Sequence, residues 1–235
     1  MAELKDLNRQ YWNQQFKVLQ DTWPKGDNFE SCIDICLDVH AMVHSSDMSN
    51  SGLCSLEDEL WERMTETAFR KVHTGDQSIA WKLWHSTRIE DITMNMLIAG
   101  EPQIFQTGNW FEKLGSPYRD TGNAMDEGEI ELLSKSLDMT ALKEYRNAVG
   151  RKTRNIIMAL KAEDLKKKVQ TQRLQRIMEE GAVVEAARWL ADYWGKKTVS
   201  GILLMPATRH NLVHLNESMR LLGKEKTRSR GKGAS

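Results

Sequence analysis

Cysteine, proline and long apolar runs are all scarce in this sequence. There are three cysteines, an odd number that fits a reducing compartment better than a disulfide framework. With only four prolines, most of the chain is free to form helices. No apolar run approaches the ~20 residues that a membrane-spanning helix needs, and residues 1–6 are too polar for a secretion signal. We therefore expect a cytoplasmic protein with no membrane segment.

The charge of the chain is balanced in total but not along its length. Net charge is zero, with 40% apolar and 28% charged residues, which is typical of a globular protein. Residues 27–66 hold ten acidic side chains and one basic one, whereas residues 143–176 hold eleven basic and three acidic ones. Two oppositely charged faces of one fold would explain this pattern. The alternative is a nucleic-acid surface on the basic half, but the zero net charge argues against nucleic acid as a main partner.

Apolar residues recur at helical spacing through most of the chain, and no segment alternates as a strand does. Several long helices without a sheet predict an all-α protein built as a helix bundle. We expect a single domain over residues 1–222, with the core helices within 29–222. The aromatic stripe of the first 23 residues can pack either on its own bundle or on a second copy. Residues 223–235 lack an apolar anchor and predict a disordered basic tail.

Residues 100–128 break the helical pattern. They contain five glycines and two prolines together with Phe105, Trp110 and Phe111. This composition predicts a long loop that is too aromatic to be a plain linker. We expect its aromatic side chains to shield a pocket.

The histidines near the C-terminus lie in the stretch PATRHNLVHLNES, residues 206–218. His210 and His214 are four residues apart, so both imidazoles point to one side of a helix. Their stripe has apolar residues at both ends and should face the core. Imidazoles in a core need hydrogen-bond partners or a metal ion. Pro206, one turn earlier, should kink the helix.

A third ligand for such an ion would have to come from another helix, and His85 is the best candidate because it lies on an apolar face. Alone, a core histidine is more often hydrogen-bonded than metal-bound. Three neutral imidazoles with an open fourth position would form a divalent-metal site of catalytic type, suited to Zn, Ni or Fe. Glu217, one turn past His214, can orient a ligand or act as a catalytic base. A solvated glutamate near a helix end fits its position equally well.

A second group of potential ligands, Cys32, Cys36, His40 and His44, repeats every four residues. On a straight helix this stripe drifts too far around the axis for all four to face one ion. One interpretation is that His40 or His44 lines the same cavity as the other histidines. The other is that both cysteines are ordinary core residues and the two histidines lie at the rim of the core.

Two segments carry a resemblance to a known family: IAWKLWHSTRIEDITMNMLIAG, residues 79–100, and LLMPATRHNLVHLNESMRLLG, residues 203–223. The chain resembles the DinB-like (YfiT-like) superfamily. The resemblance implies an up-down-down-up four-helix bundle, often dimeric, with additional short helices here. It also implies a divalent metal held by one histidine on the second bundle helix and two on the fourth, which map onto His85, His210 and His214.

Characterised members of that superfamily look like transferases or isomerases that use low-molecular-weight thiols. The leading hypothesis is therefore a metal-dependent enzyme that activates a water for hydrolysis, or such a thiol for transfer to a small-molecule substrate. Extra residues at 100–128 and 161–180 mean that the family's substrates are not carried over. The alternative is a non-catalytic stress or sensor bundle whose metal stabilises the fold. A fourth ligand from His40 or His44 would favour that alternative, because structural sites are closed.

Overall fold

The computed structural model describes residues 2–23 and 28–231. Helices dominate this part of the chain, which contains two isolated bridges (His73 with Asp76, Lys168 with Thr198) and no strand. The predicted all-α class is confirmed. No helix within the described ranges is both long enough and apolar enough to cross a membrane.

Fourteen α-helices are described, many of them short. In chain order they are α1 (Ala2–Thr22), α2 (Phe29–Met42), α3 (Ser46–Ser49), α4 (Leu56–Trp61), α5 (Glu66–Arg70), α6 (Ile79–Asp91), α7 (Ile104–Thr107), α8 (Trp110–Leu114), α9 (Glu127–Ser136), α10 (Met139–Ala159), α11 (Thr171–Glu179), α12 (Trp189–Gly195), α13 (Val199–Leu204) and α14 (His210–Gly231). Two π-helical segments, Ile92–Ala99 and Met205–Arg209, continue α6 and join α13 to α14.

Helices α2, α6, α10 and α14 are the candidates for the four helices of the predicted bundle. Helix α6 packs against both α10 and α14, while α2 packs against α10 and the π segment that leads into α14. Helices α6 and α10 thus each contact two other members of this set. The up-down-down-up order of helix directions stays a prediction.

The helix starts follow local capping chemistry. Ser55 and Ser78 accept hydrogen bonds from the backbone N–H groups of Asp58 and Trp81. Helix α10 begins at Met139, where Asp138 is the cap and accepts from the Ala141 N–H. A carboxylate at this position also interacts favourably with the helix dipole.

The last helical run bends where proline interrupts it. Pro206 has no N–H to donate, and the backbone changes to a π-helix over Met205–Arg209 before α14 resumes at His210. The Thr208 hydroxyl donates to the Leu203 carbonyl at 2.9 Å. The predicted interruption of the helix at Pro206 is confirmed, as a π-helical segment that ends directly before His210.

The N-terminal helix packs on its own bundle. Trp12, Phe16, Leu19 and Trp23 are all buried, and the Trp12 indole donates to the Val39 carbonyl of α2 at 2.8 Å. This decides between the two placements that the sequence allowed for the aromatic stripe. Homodimer formation stays a prediction.

The segment of residues 100–128 is more ordered than the predicted long loop, because it forms the short helices α7 and α8. Its aromatic residues turn toward α10: the Phe105 and Trp110 rings lie 5.7 and 5.5 Å from the ring of Tyr145. Phe111 packs at right angles to Phe105. Burial against Tyr145 explains why these short helices form despite five nearby glycines.

The acidic segment (residues 27–66) and the basic segment (residues 143–176) contact each other inside the fold. The Arg146 guanidinium donates to both carboxylate oxygens of Glu57, at 2.8 and 2.9 Å, with both side chains fully buried. Arg151 donates to the Asp47 carbonyl, and Lys143 lies 3.9 Å from the Asp47 carboxylate. These contacts account for the uneven charge within one fold.

The C-terminal boundary differs from the prediction of a disordered tail from residue 223. The backbone of α14 stays helical to Gly231, and residues 232–235 lie outside the described part of the chain. The sequence after Gly223 has no proline and is rich in lysine, glutamate and arginine, which are good helix formers. Helix propensity thus extends the element beyond its last apolar residue.

Candidate metal centre

Three histidines from two bundle helices converge at one point. His85 projects from α6, while His210 and His214 project from the first turns of α14, and their ligand nitrogens lie within 4.8 Å of one another. The Nε2 atoms of His210 and His214 are 3.1 Å apart. The His85 ring lies 5.1 Å from the ring of each. The structure brings together the three residues that the sequence selected.

Hydrogen bonds determine which nitrogen of two of these rings carries the proton. Nδ1 of His85 donates to the Thr121 carbonyl at 2.6 Å, and a carbonyl can only accept. Nδ1 of His214 lies 3.0 Å from the Glu217 carboxylate and donates to it. Because a neutral imidazole carries one hydrogen, Nε2 of each ring is unprotonated and carries a lone pair; that of His214 faces Nε2 of His210. Such backing by a carbonyl or carboxylate is typical of metal-ligating histidines.

Burial keeps the three rings neutral. Burial and the nearby His214 lower the pKa of His85 to about 3. Burial lowers the pKa of His210 well below its usual range, with the other two imidazoles adding to the effect. The pKa of His214 is also lowered, again by burial first. Neutral imidazole is the form that binds metal ions, so the donor set fits a divalent ion.

Glu217 connects the site to a buried lysine. Its carboxylate accepts from His214 and, at 3.0 Å, from Nζ of Lys82, which also pairs with Asp76 at 2.8 Å. The hydrogen bond from His214 is the main cause that lowers the pKa of Glu217 to about 2. Glu217 contacts His214 at Nδ1, on the opposite side of the ring from Nε2. This geometry suits a residue that orients His214.

A pocket adjoins His85 and His210. Its volume is about 210 Å³, and ten residues line it: His85, Ile89, Asn123, Trp189, Leu190, Tyr193, Trp194, Met205, Pro206 and His210. None of them is Asp, Glu, Lys or Arg. The aromatic wall comes from α12, not from Trp110 and Phe111, so the expectation that those two residues shield the pocket is wrong. They pack around Tyr145 and Phe105 instead.

A larger groove of about 620 Å³ lies between α11 and α12. Its lining includes Leu174, Met178, Arg188 and Asp192 but none of the converging histidines. Size alone would favour this groove as a ligand site. The smaller pocket is the better candidate, because it is the one that reaches titratable groups in a metal-binding arrangement.

His40 and His44 occupy neither of the places expected for them. Both are fully buried, and both contact the carboxylate of Glu90 rather than the other three histidines. Burial is the main cause that lowers the pKa of His40 to about 4, and the neighbouring His44 adds to it. Cys32 and Cys36 are buried core residues, as the simpler interpretation holds. The two histidines lie apart from the two cysteines because each four-residue step along α2 rotates the side chain further around the helix axis.

Comparison with known protein families agrees with this geometry. The family model of the DinB superfamily matches residues 57–217, well over half of the chain. The chain belongs to the DinB superfamily. No curated protein matches the chain. Within this DinB-superfamily protein, His85, His210 and His214 all fall in the matched range, whereas His40 and His44 precede it.

Several residues around the centre escaped sequence reasoning. Thr121 acts through a backbone carbonyl, which no side-chain pattern reveals. Lys82 is buried and lies one turn before His85. A lysine on an otherwise apolar helix face could have indicated a buried acidic partner. Glu90 and Asn211 each lie next to residues that the motifs highlighted, but their mutual contact depends on how α6 and α14 pack.

Proposed function

We propose that this DinB-superfamily protein is a metal-dependent enzyme in which His85, His210 and His214 hold a divalent ion, Zn, Ni or Fe. The observation that carries the proposal is the convergence of three neutral imidazoles beside an apolar pocket. Two of the rings have Nδ1 engaged by Thr121 and Glu217, which directs Nε2 toward the common point. His85 and His210 also line the pocket, so a molecule there would reach the ligand cluster.

The residues around the centre have distinct roles in this proposal. The Thr121 carbonyl holds the His85 ring in one orientation, and Glu217, held by Lys82, does the same for His214. A divalent ion in such a site lowers the pKa of a bound water or thiol toward neutrality. Trp189 and Tyr193 limit the access of bulk water and leave an apolar surface for the substrate.

The pocket supports a small and uncharged substrate group. It is smaller than the roughly 300–1,000 Å³ of typical ligand pockets, and its lining offers aromatic rings, aliphatic groups and one amide, Asn123. A carboxylate buried there would have no lysine or arginine partner in the lining. A thiol with an apolar substituent, or a small neutral ester or amide, therefore fits better than a thiol with several carboxylates. Hydrolysis and thiol transfer are both compatible with this pocket.

Elemental analysis of untagged protein tests the site. We expect the wild type to hold a transition metal and the His85→Ala/His210→Ala/His214→Ala variant to hold at least one ion fewer while remaining helical by circular dichroism. His73→Ala is the matched control, because His73 lies outside both histidine clusters. Equal metal content in the wild type and the triple variant would show that the three histidines are only hydrogen-bonded core residues.

A second measurement tests catalysis separately from metal binding. In protein loaded with Co²⁺, an open coordination position predicts that an added small thiol or azide changes the visible absorption spectrum. The Trp189→Ala variant should change the affinity for an apolar thiol more than that for azide. A spectrum that neither additive alters would indicate a closed site, and the non-catalytic metal-stabilised bundle would then replace the enzyme.

A further inference from the structure

A second cluster of potential metal ligands joins side chains of α2 and α6. Nε2 of His40 is 2.9 Å from one carboxylate oxygen of Glu90, and Nε2 of His44 is 3.0 Å from the other. One ligand atom from each of the three residues lies within 4.8 Å of the others. The amide of Asn211 donates to Glu90 at 2.7 Å from α14. Three polar side chains, two from α2 and one from α14, thus meet around the carboxylate on α6.

Hydrogen bonds alone do not balance the negative charge of the Glu90 carboxylate in this cluster. The Glu90 side chain is fully buried, as are both imidazoles. Among the described residues, no lysine or arginine forms an ion pair with Glu90, because the nearby Arg146 is paired with Glu57 and Arg88 with Asp91. Two imidazoles and an amide can donate hydrogen bonds to Glu90, but none of the three carries a permanent positive charge. Burying a carboxylate without a compensating positive charge is unfavourable.

We propose that His40, His44 and Glu90 form a second divalent-metal site. Residues 40 and 44 are one turn apart on α2, which is the spacing that lets two imidazoles reach one ion. Two imidazoles and one carboxylate suit Zn²⁺, Fe²⁺ or Mn²⁺, and the ion turns the net charge of the cluster from negative to positive. The ligand set shares no residue with the first site. The inference therefore stands whether or not the proposed function is correct.

The surroundings indicate a structural role for this second ion. All three ligands are fully buried, in contrast to the first site, where His210 borders an open pocket. The ion would link α2 to α6 directly, and to α14 through Asn211. Behind His44, its Nδ1 lies 3.9 Å from the Glu57 carboxylate, which is itself held by Arg146. Helix α1 packs on α2. An ion at this site would therefore also stabilise the position of α1.

The test compares the number of metal ions bound by the full-length, untagged chain and by matched variants. After saturation with Zn²⁺ and removal of free ion, we expect Glu90→Gln and His40→Asn/His44→Asn each to hold one zinc fewer per chain than the wild type. Glu90→Gln removes the charge and keeps the volume, so it guards against simple loss of folding. His73→Asn should hold as much zinc as the wild type.

The outcomes separate this site from the first one. If His210→Asn/His214→Asn loses one zinc and Glu90→Gln loses none, the second site does not exist, and His40, His44 and Glu90 are only a hydrogen-bonded core cluster. If Glu90→Gln loses one zinc while His210→Asn/His214→Asn loses none, the second site stands and the proposed function fails. Anomalous scattering from crystals of zinc-loaded wild type should show a peak between His40, His44 and Glu90, and density there without an anomalous peak would overturn the proposal.

Discussion

At the scale of single residues, the hydrogen-bond partners of the histidines carry as much information as the histidines themselves. Glu217 reaches His214 at Nδ1 and Lys82 at Nζ, on the side of the ring away from the other imidazoles. A carboxylate in this position fixes the ring and raises the basicity of Nε2. It is poorly placed to take a proton from a group bound at Nε2. The contacts of Glu217 therefore favour a role in orienting the ligand His214 over a role as a catalytic base.

Truncation of Glu217 should therefore weaken metal binding. We expect Glu217→Ala to lower zinc affinity about 10- to 100-fold, the usual effect of removing such a partner, as measured by competition with a chromophoric chelator. Glu217→Gln keeps an acceptor for His214 and should recover part of the loss. Glu131→Gln, on the exposed face of α9, is the control. Unchanged affinity in Glu217→Ala would show that His214 needs no partner.

The three cysteines should differ sharply in reactivity. Cys32 and Cys36 are almost fully buried, and burial raises the pKa of the Cys36 thiol far above its usual value. Cys54 is partly exposed. We expect a disulfide reagent such as Ellman's reagent to modify one thiol per native chain quickly and the other two only on unfolding. Cys54→Ser should lack the fast phase, and a fast phase that persists would contradict the burial of the α2 cysteines.

At the scale of elements, the segment between α6 and α9 holds His85 in place. Thr121 supplies the carbonyl for His85, and the next residue, Gly122, has a φ of +75°. A Cβ at Gly122 would lie 2.7 Å from the Trp84 ring. The backbone thus approaches α6 as closely as it does because residue 122 has no side chain.

Gly122→Ala should destabilise the protein and loosen the metal centre. Left-handed backbone and overpacking together predict a loss of roughly 2–4 kcal/mol in the free energy of unfolding, with weaker zinc binding as Thr121 shifts. Gly52→Ala is the matched control, since Gly52 has a φ of +74° and open space around it. That variant should lose only about 1 kcal/mol. Equal losses in urea titrations would show that the contact with Trp84 is unimportant.

Both π-helical segments lie next to the histidine clusters. One begins at Ile92, directly after Glu90 and Asp91, and the other ends at Arg209, directly before His210. A π turn rotates the residues that follow it relative to a regular α-helix. The orientation of His210 and Asn211 thus depends on the turn that Pro206 initiates.

At the scale of the whole molecule, a buried ion pair links distant parts of the chain. Arg146 of α10 bonds Glu57 of α4 and also donates to the Leu83 carbonyl and the Thr87 hydroxyl of α6. The pair joins the acidic and basic halves of the sequence within the core. Loss of one partner would leave the other charge buried without compensation.

Arg146→Met should therefore lower the free energy of unfolding by about 3–5 kcal/mol. The double variant Arg146→Met/Glu57→Gln removes both charges and keeps an acceptor for the Trp61 indole. We expect it to be more stable than Arg146→Met alone. Urea denaturation followed by circular dichroism measures both. A double variant less stable than the single one would show that the pair is not the source of the cost.

The sequence by itself determined the all-α class, the helix interruption at Pro206 and the three candidate ligands of the first centre. These follow from local rules: helical spacing of apolar residues, the missing N–H of proline, and the four-residue step that puts His210 and His214 on one face. The extent of α14 and the helices within residues 100–128 were missed, because helix propensity and burial against Tyr145 outweighed the signals of glycine and polarity.

Only the tertiary structure decided which polar groups meet. His40 and His44 looked like rim residues or a fourth ligand, and the tertiary structure places Glu90 of α6 against both instead. The Thr121 carbonyl reaches His85 across 36 residues, and Lys82 reaches Glu217 across 135. Spacing along one helix fixes the face of a side chain, but the partner on another helix depends on the relative position of the two helices, which no local pattern encodes.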